Sequence, residues 1–411
     1  MPKTIAVIGA LDTKGQDFAF LKAEIEARGC KALVIDFGVM GDPAFMPEVT
    51  RQQVAEAAGV EIMALIAAED RGSAMRAMSE GVTEVVRRLY AEGEIDGVMS
   101  MGGGGGTSVA TAAMRGLPVG FPKVMVSTLA GGDVSGFVGT SDIVMIPSVI
   151  DVNGVNRISR LIYSSAAGAI CGMVSGEPAR GDDKPLIAVT MFGNTTRAVN
   201  YAKPILEAAG YEVLVFHATG TGGRTMEALI ADGMIAGVLD LTTTEWADQL
   251  LGGVLSAGSE RLEAAGRMGI PQVVAPGCLD MCNFWERSTV VEKYANRLFY
   301  EWNANVTLMR TTADENAQLG LIFAEKLNAA QGATAVYIPT RGWSELDTEG
   351  KPFYDPEAII AFTRALKANI RPDIPVIEVE TDINDPQFAA VTANALLDFL
   401  RIEREKSSER G

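Results

Sequence analysis

Cysteine is scarce, with four in 411 residues, histidine occurs once, and 35 Lys plus Arg face 52 Asp plus Glu. Each shortage closes off a class of function. Cys30, Cys171, Cys278, Cys282 and His217 make a poor metal kit. Cys278 and Cys282 have a C-x3-C spacing with no second pair nearby, so buried free thiols fit better than a structural zinc. A net charge of −17 repels nucleic-acid backbones and anionic membranes. It leaves open a phosphate pocket built from backbone N–H groups. No apolar run approaches the ~20 residues that span a bilayer. Met1-Pro2-Lys3-Thr4 runs straight into a strand-like stretch, so no signal peptide is expected and the protein reads as cytoplasmic.

What is present is a globular composition, 48% hydrophobic and 21% charged, which excludes a mostly disordered chain and is too long for one ordinary core. The run from Ile5 to Gly9, a loop through Gly15, an amphipathic stretch over 17–28 and a second run over 32–35 spell strand, loop, helix, strand. Near-continuous apolar strands of this kind predict a buried parallel sheet. The plan returns at Leu186–Thr190, with a helix to Ala209 and a run over 212–216. Glu94-Ile-Asp-Gly-Val-Met99 then matches Met234-Ile-Ala-Gly-Val-Leu239. The fold class is therefore α/β, with two Rossmann-like lobes, each a mostly parallel sheet flanked by helices. The lobes are placed at 1–178 and 184–405, joined by the Pro-, Gly- and charge-rich stretch 176–185. Small residues in a helix over 155–174 predict close helix contact, and a charged tail from Arg404 is expected to fray.

Glycine is abundant, 44 residues, and its densest cluster is informative by position. Gly102, Gly103, Gly104, Gly105 and Gly106, with Thr107 and Ser108, follow the strand 97–101 and precede a helix expected over 109–114. A glycine run at the carboxyl end of a parallel strand lets backbone approach a ligand, and the next helix adds free N–H groups. No Lys follows, so this is no P-loop, and the spacing departs from the dinucleotide fingerprint. A plain flexible turn is the competing reading. Ser127 and Thr128 follow the next strand, and Thr13 and Lys14 follow the first; all are candidate nucleotide contacts. Asn153 reads as a helix cap, with Asn156 and Arg157 beside it as further contacts. Asp133 and Asp151 are candidates to hold Mg²⁺ through water.

In the second lobe, His217 ends a strand before Ala218-Thr-Gly-Thr-Gly-Gly223, where α/β ligands bind, and could act as a general base. Asp240, Glu245 and Asp280 fall at neighbouring strand ends and join it as candidate catalytic groups. Asn283, Arg310, Arg341 and Ser344 are candidates to hold a carboxylate or phosphate substrate; surface ion pairing is the alternative for each charge.

Three stretches together, Ile5-Ala-Val-Ile-Gly-Ala-Leu-Asp-Thr-Lys-Gly15, Ser100-Met-Gly-Gly-Gly-Gly-Gly-Thr107 and Asp151-Val-Asn-Gly-Val-Asn156, resemble the ATP-binding N-terminal domain family of the tomato mosaic virus resistance protein and its bacterial relatives. His217-Ala-Thr-Gly220, Asp240-Leu-Thr-Thr-Thr-Glu245 and Arg341-Gly-Trp-Ser-Glu-Leu-Asp347 extend the resemblance over nearly the whole chain. It implies two Rossmann-like subdomains, ATP with Mg²⁺ in the first, and a homodimer. Cys278-Leu-Asp280 and Cys282-Asn-Phe284 depart from the family's Ala-Leu-Asp and Val-Asn-Phe, which raises the question of a reactive thiol. The plant members carry a further barrel-like domain, so their antiviral role does not transfer. The expected function is ATP–Mg²⁺ binding, with an ATP-dependent reaction on a small anionic metabolite held between the lobes; a non-catalytic nucleotide sensor or partner-binding protein is the alternative. No nucleic-acid or membrane partner is expected.

Overall fold

The computed structural model describes residues 2–177, 181 and 183–410, the side chains of 407–410 excepted. Part of the expected linker at 176–185 lies outside the described residues. The chain forms two compact units, Met1–Arg180 and Gly181–Gly411.

The first unit has strands β1 (Thr4–Gly9), β2 (Lys31–Asp36), β3 (Gly97–Gly102), β4 (Lys123–Ser127) and β5 (Val144–Pro147). They form one parallel sheet in the order β2-β1-β3-β4-β5. Strand residues alternate between two cores, as a pleat of period two requires. Ala6 and Ile8 pack with Val82, Val86 and Val109 on one face. Ile5 and Val7 pack with Phe18, Leu21 and Ile170 on the other. Burying each such side chain contributes ~1.5–3 kcal/mol, and nearly every interior strand residue is buried on both faces.

The second unit has β6 (Leu186–Met191), β7 (Glu212–His217), β8 (Ile235–Thr242), β9 (Gln272–Gly277), β10 (Met281–Phe284), β11 (Phe299–Asn303), β12 (Val306–Arg310), β13 (Thr334–Pro339) and β14 (Val376–Val379). Six of them form a sheet ordered β7-β6-β8-β9-β13-β14, parallel throughout. Counted within the unit, that order is 2-1-3-4-5-6, the same plan as the first unit with one strand added. A small antiparallel sheet, β10-β12-β11, is inserted between the fourth and fifth strands; the sequence pattern does not announce it.

One detail recurs in both units. Gly97 and Gly237, matched in the sequence repeat, sit in the third strand, and a Cβ at either would meet the unit's last helix. The contact would be Val174 Cγ1 at 2.6 Å in the first and Leu400 Cδ2 at 3.1 Å in the second. The last helices, Arg157–Ser175 and Pro386–Arg410, therefore lie close on their sheets. The first starts later than expected. Its cap is Asn156, which accepts Ile158 N at 2.9 Å and Ser159 N at 3.1 Å, not Asn153. Ser159 Oγ answers by accepting Asn156 N, closing a capping box that the cap alone did not reveal. The final helix continues through Arg404 to Arg410 where fraying was expected.

Gly81 lies inside the helix Arg71–Ala91, where glycine ordinarily costs about 1 kcal/mol relative to alanine. A Cβ there would lie 2.0 Å from the carbonyl oxygen of Val54 on the helix Arg51–Ala57. Gly81→Ala is therefore expected to reverse the usual sign and destabilise by about 1–3 kcal/mol. A urea melt showing equal or higher stability would contradict this crossing.

Candidate functional site

In a sheet of order 2-1-3, chains leaving the first and third strands turn to opposite faces, and a crevice opens between them. The helix Leu11–Glu26 leaves β1 toward one core, and the helix Gly104–Arg115 leaves β3 toward the other. A cavity of about 370 Å³ occupies this crevice. Thr13, Lys14 and all five of Gly102 to Gly106 line it.

The helix after β3 begins at Gly104, not at Val109 as the sequence suggested, so Gly102 ends the strand, Gly103 is the cap and Gly104, Gly105 and Gly106 open the first turn. Packing accounts for Gly102, buried in β3, where a Cβ would lie 3.3 Å from the Cα of Gly106; the other four are explained neither by backbone angle nor by a close backbone contact. None of the five has positive φ. Cβ atoms added at Gly103, Gly104 and Gly106 would find nothing nearer than 3.7 Å, and one at Gly105 would meet only the tip of the Met75 side chain, at 3.3 Å. Side chains are thus missing where the protein itself has room for them. The room belongs to the cavity, where free N–H groups of a helix N-terminus are exposed.

The neighbouring candidates divide. Thr107 and Ser127 are buried, and their hydroxyls bond each other at 2.7 Å. Ser127 Oγ also accepts Leu129 N, at 3.0 Å. They brace the loop and do not reach the cavity. Thr128 lies exposed beside Gly103. Lys14 donates to the carbonyl of Val152, and buried Asp17 accepts Gly154 N at 2.9 Å and the Tyr163 hydroxyl at 3.1 Å. Two motifs far apart in sequence are thereby docked together, but Asp151, Asn153, Asn156 and Arg157 do not line the cavity. Asp133 is exposed and accepts Ser135 N. The acid that lines the cavity is Asp12, inside the first motif and not among the residues that the sequence singled out. Its Oδ2 accepts Met40 N at 2.6 Å, and its buried Oδ1 has no partner. Among the described residues no group of three or more His, Cys, Asp or Glu could hold a metal. Any Mg²⁺ would rest on Asp12 and on ligand oxygens. Asp36, placed where a ribose-binding acid would sit, instead turns inward to accept Leu11 N and Gly38 N.

The second unit treats its strand ends differently. Arg261, 1% exposed, forks onto Asp240 at 2.5 and 2.8 Å and reaches Glu245 at 2.7 Å and Glu227 at 3.3 Å. Asp240 and Glu245, expected as catalytic groups, are thus both engaged by Arg261 inside the protein. Glu245 Oε1 also accepts Gly220 N at 2.7 Å and Gly223 N at 3.0 Å. The protein's own carboxylate fills the helix N-terminus where a phosphate would sit. Gly223 is glycine because a Cβ would fall 2.2 Å from Glu245 Oε2.

Asp280, Ser344 and Arg310 do come together, but inside the protein. Ser344 Oγ donates to Asp280 Oδ2 at 2.7 Å. Arg310 is consumed by Asp347 at 3.2 Å and by carbonyls of Phe353, Asp280 and Thr311. No fork is left for a substrate. Arg341 pairs with Glu380 on the surface, both largely exposed. His217 is exposed at the end of β7, an edge strand, and lines neither this unit's main cavity nor the first unit's. All four cysteines are free and buried. Burial pushes the Cys278 and Cys282 thiols upward, the reverse of an activated nucleophile.

Burial shifts several carboxyls toward their protonated form. Burial raises Asp248 from the ordinary 3.8 to about 7, against the opposing hydrogen bonds from Asn283 and Leu255. It also raises Asp36, Glu227, Glu245, Asp280 and Asp347. At Asp248 and at Asp347, which is raised to about 8, the folded state keeps protons that the unfolded chain releases, so stability is expected to fall as pH rises from about 4 to about 8. Unfolding free energies from urea melts at about pH 5 and about pH 8 should differ in favour of the lower pH, by on the order of 1–3 kcal/mol, with the midpoint shifted the same way. Equal midpoints would show that these carboxyls ionise normally in the fold.

Among the described residues no helix is long and apolar enough to cross a membrane. The Uncharacterised protein family (UPF0261) N-terminal domain matches residues 3–179, and the C-terminal domain of the same family matches residues 184–400. A UPF0261 protein of Clostridium tetani is 51% identical over 402 residues, 97% of this chain and 100% of that protein. One from Rhizobium meliloti is 46% identical over 97% of this chain and 99% of its own length. The ToMV resistance protein Tm-1 of Solanum lycopersicum is 44% identical over 82% of this chain, which corresponds to 45% of the plant protein. Among solved structures, a UDP-N-acetylglucosamine 2-epimerase from Rickettsia bellii aligns over 97% of this chain and 96% of that one, at TM-score 0.23 and 10% identity, too remote to bear on function. With both domain matches in sequence and full-length relatives at this identity, the chain belongs to the UPF0261 family.

Proposed function

We propose that the first unit binds ATP with Mg²⁺ in the crevice between β1 and β3. The observation that carries this reading is the glycine run: Gly103, Gly104 and Gly106 lack side chains where the protein has room for them, at a helix N-terminus that faces a cavity. A triphosphate is served there by backbone N–H groups, which suits a chain of net charge −17. Lys14 and Arg71 at the rim supply positive charge, and Phe37, Val39 and Met75 offer an apolar wall to the base. Asp12, with its unpartnered Oδ1, fits the habit of Mg²⁺ of taking one or two carboxylates plus phosphate oxygens. When bound, the ion would screen the phosphate charge.

The reading stops at binding. The residues expected to catalyse a reaction on an anionic metabolite are engaged with one another or lie on the surface, so nucleotide binding is the function the geometry supports best. We place this binding in the cytoplasm, where four free thiols would stay reduced. Self-association as a homodimer belongs to the same reading; Ile158 and Leu161, exposed on the helix Arg157–Ser175, support it. Sedimentation showing a monomer throughout the micromolar range would oppose it.

The decisive variant is Gly104→Val. Its Cβ would sit 3.8 Å from Leu129 Cδ1, an ordinary contact, so the fold should tolerate it while the added side chain fills the phosphate path. Calorimetry with ATP and Mg²⁺ should show affinity reduced tenfold or more, about 1.4 kcal/mol at the least, with the melting temperature unchanged. Full affinity in the folded variant would remove this site.

A further inference from the structure

We infer that the second unit carries a separate binding site for an uncharged sugar ring, in the cavity between the loop after β6 and the antiparallel sheet β10-β12-β11. This site is independent of the nucleotide reading above. The cavity measures about 450 Å³, within the range of small-molecule sites. It occupies the same place in the chain plan as the first cavity, outside the carboxyl end of the unit's first strand. Its chemistry is different: no Asp, Glu, Lys, Arg or His lines it.

Two buried amides point to a ligand. Asn194 and Asn283 both line the cavity, are 1% and 0% exposed, and each has an Oδ1 without a partner. The orientation of Asn283 is imposed by its surroundings. Its Nδ2 donates to Asp248 Oδ2 at 2.6 Å and to Thr244 Oγ1 at 3.3 Å, and its backbone N donates to Asp248 Oδ1 at 3.0 Å. With Asp248 ionised, both amide protons are committed to acceptors, and the carbonyl oxygen is what remains. A buried acceptor left bare is costly, and two in one cavity call for a ligand that brings donors.

The walls narrow the class. Phe192, Phe284, Trp285 and Trp302 line the cavity, and the two tryptophans stay 51% and 44% exposed. An aromatic face meets the C–H face of a pyranose, while the ring's hydroxyls turn their protons to nearby acceptors. A nucleobase edge alternates donors with acceptors and is served less well by two bare oxygens. Phosphorylated or carboxylated ligands find no cation here. The nearby helix N-terminus, Thr221–Ala231, is already occupied by Glu245. The threonines that replace the glycine run, Thr242, Thr243 and Thr244, are all buried.

Tryptophan fluorescence and calorimetry on the full chain test this, using a panel of neutral aldohexoses and aldopentoses, their phosphate esters, and adenosine. At least one neutral sugar should bind more tightly than its phosphate ester. Trp302→Ala, at a half-exposed wall position, should weaken that binding roughly tenfold or more and leave affinity for ATP with Mg²⁺ unchanged. Asn194→Ala should do the same. The proposal is overturned if no neutral sugar binds, if the phosphate esters or adenosine bind better, or if folded Trp302→Ala binds like the parent protein. Because affinity for ATP is read on the same samples, failure of this site and failure of the nucleotide site are distinguishable.

Discussion

Both units put their first strand in the interior of a parallel sheet, with the second strand on one side and the third on the other. In the first unit this topological constraint decides where the cavity opens, between the loops after β1 and β3. Right-handed crossovers send the chain after strand one to one face and after strand three to the other, so the loops there part and leave backbone groups facing a crevice. In the first unit the third-strand loop lines that crevice, whereas the second unit's cavity is lined by the loop after β6 and by the inserted antiparallel sheet. The third-strand loop of the first unit is glycine, leaving helix N–H groups free for an anion. In the second it is Thr242-Thr243-Thr244-Glu245, whose hydroxyls and carboxylate are engaged inside the protein. One plan used twice thus yields one cavity rimmed by the glycines of a helix N-terminus and another lined by aromatic and amide side chains.

The architecture was legible because it rests on short-range pattern. Apolar strands, glycine-ended helices and the Gly97–Gly237 repeat announce two parallel sheets, since a buried strand has few other ways to be written. The repeat glycines also have a common cause, contact with the last helix of each unit. Less legible was the inserted sheet over 281–310. Its strands are four or five residues long and mix polar with aromatic residues, so they offer no period to detect. Yet it supplies Trp285 and Trp302, which make the second cavity distinctive.

Site residues were harder for a physical reason. A carboxylate at the end of a parallel strand looks the same in sequence whether it meets substrate or a buried cation. Asp240 and Glu245 have the strand-end placement of catalytic acids, and only Arg261, from a segment with no pattern of its own, shows that they are matched internally. Arg310 repeats the lesson, committing its guanidinium to Asp347 and backbone carbonyls. Asp12 errs in the other direction. It was hidden beside Thr13 and Lys14 because nothing local distinguishes a carboxylate with one unpartnered oxygen from a solvated one.

The buried acids also constrain what the second unit can do. Arg261 is shared among Asp240, Glu245 and Glu227, so removing Arg261 leaves buried carboxylates uncompensated, a change that typically costs several kcal/mol. Such a cluster is rigid, and it holds the β8 end, the helix Thr221–Ala231 and the segment around Arg261 in one arrangement. Asp248 extends that rigidity to the cavity wall, because the carboxyl that accepts from Asn283 also accepts Leu255 N. The bare oxygen of Asn283 is therefore presented in a fixed direction and cannot swing away to find another donor. Preorganisation of this kind lowers the ordering cost of binding, which is how a small uncharged pocket with few polar groups could still select its ligand.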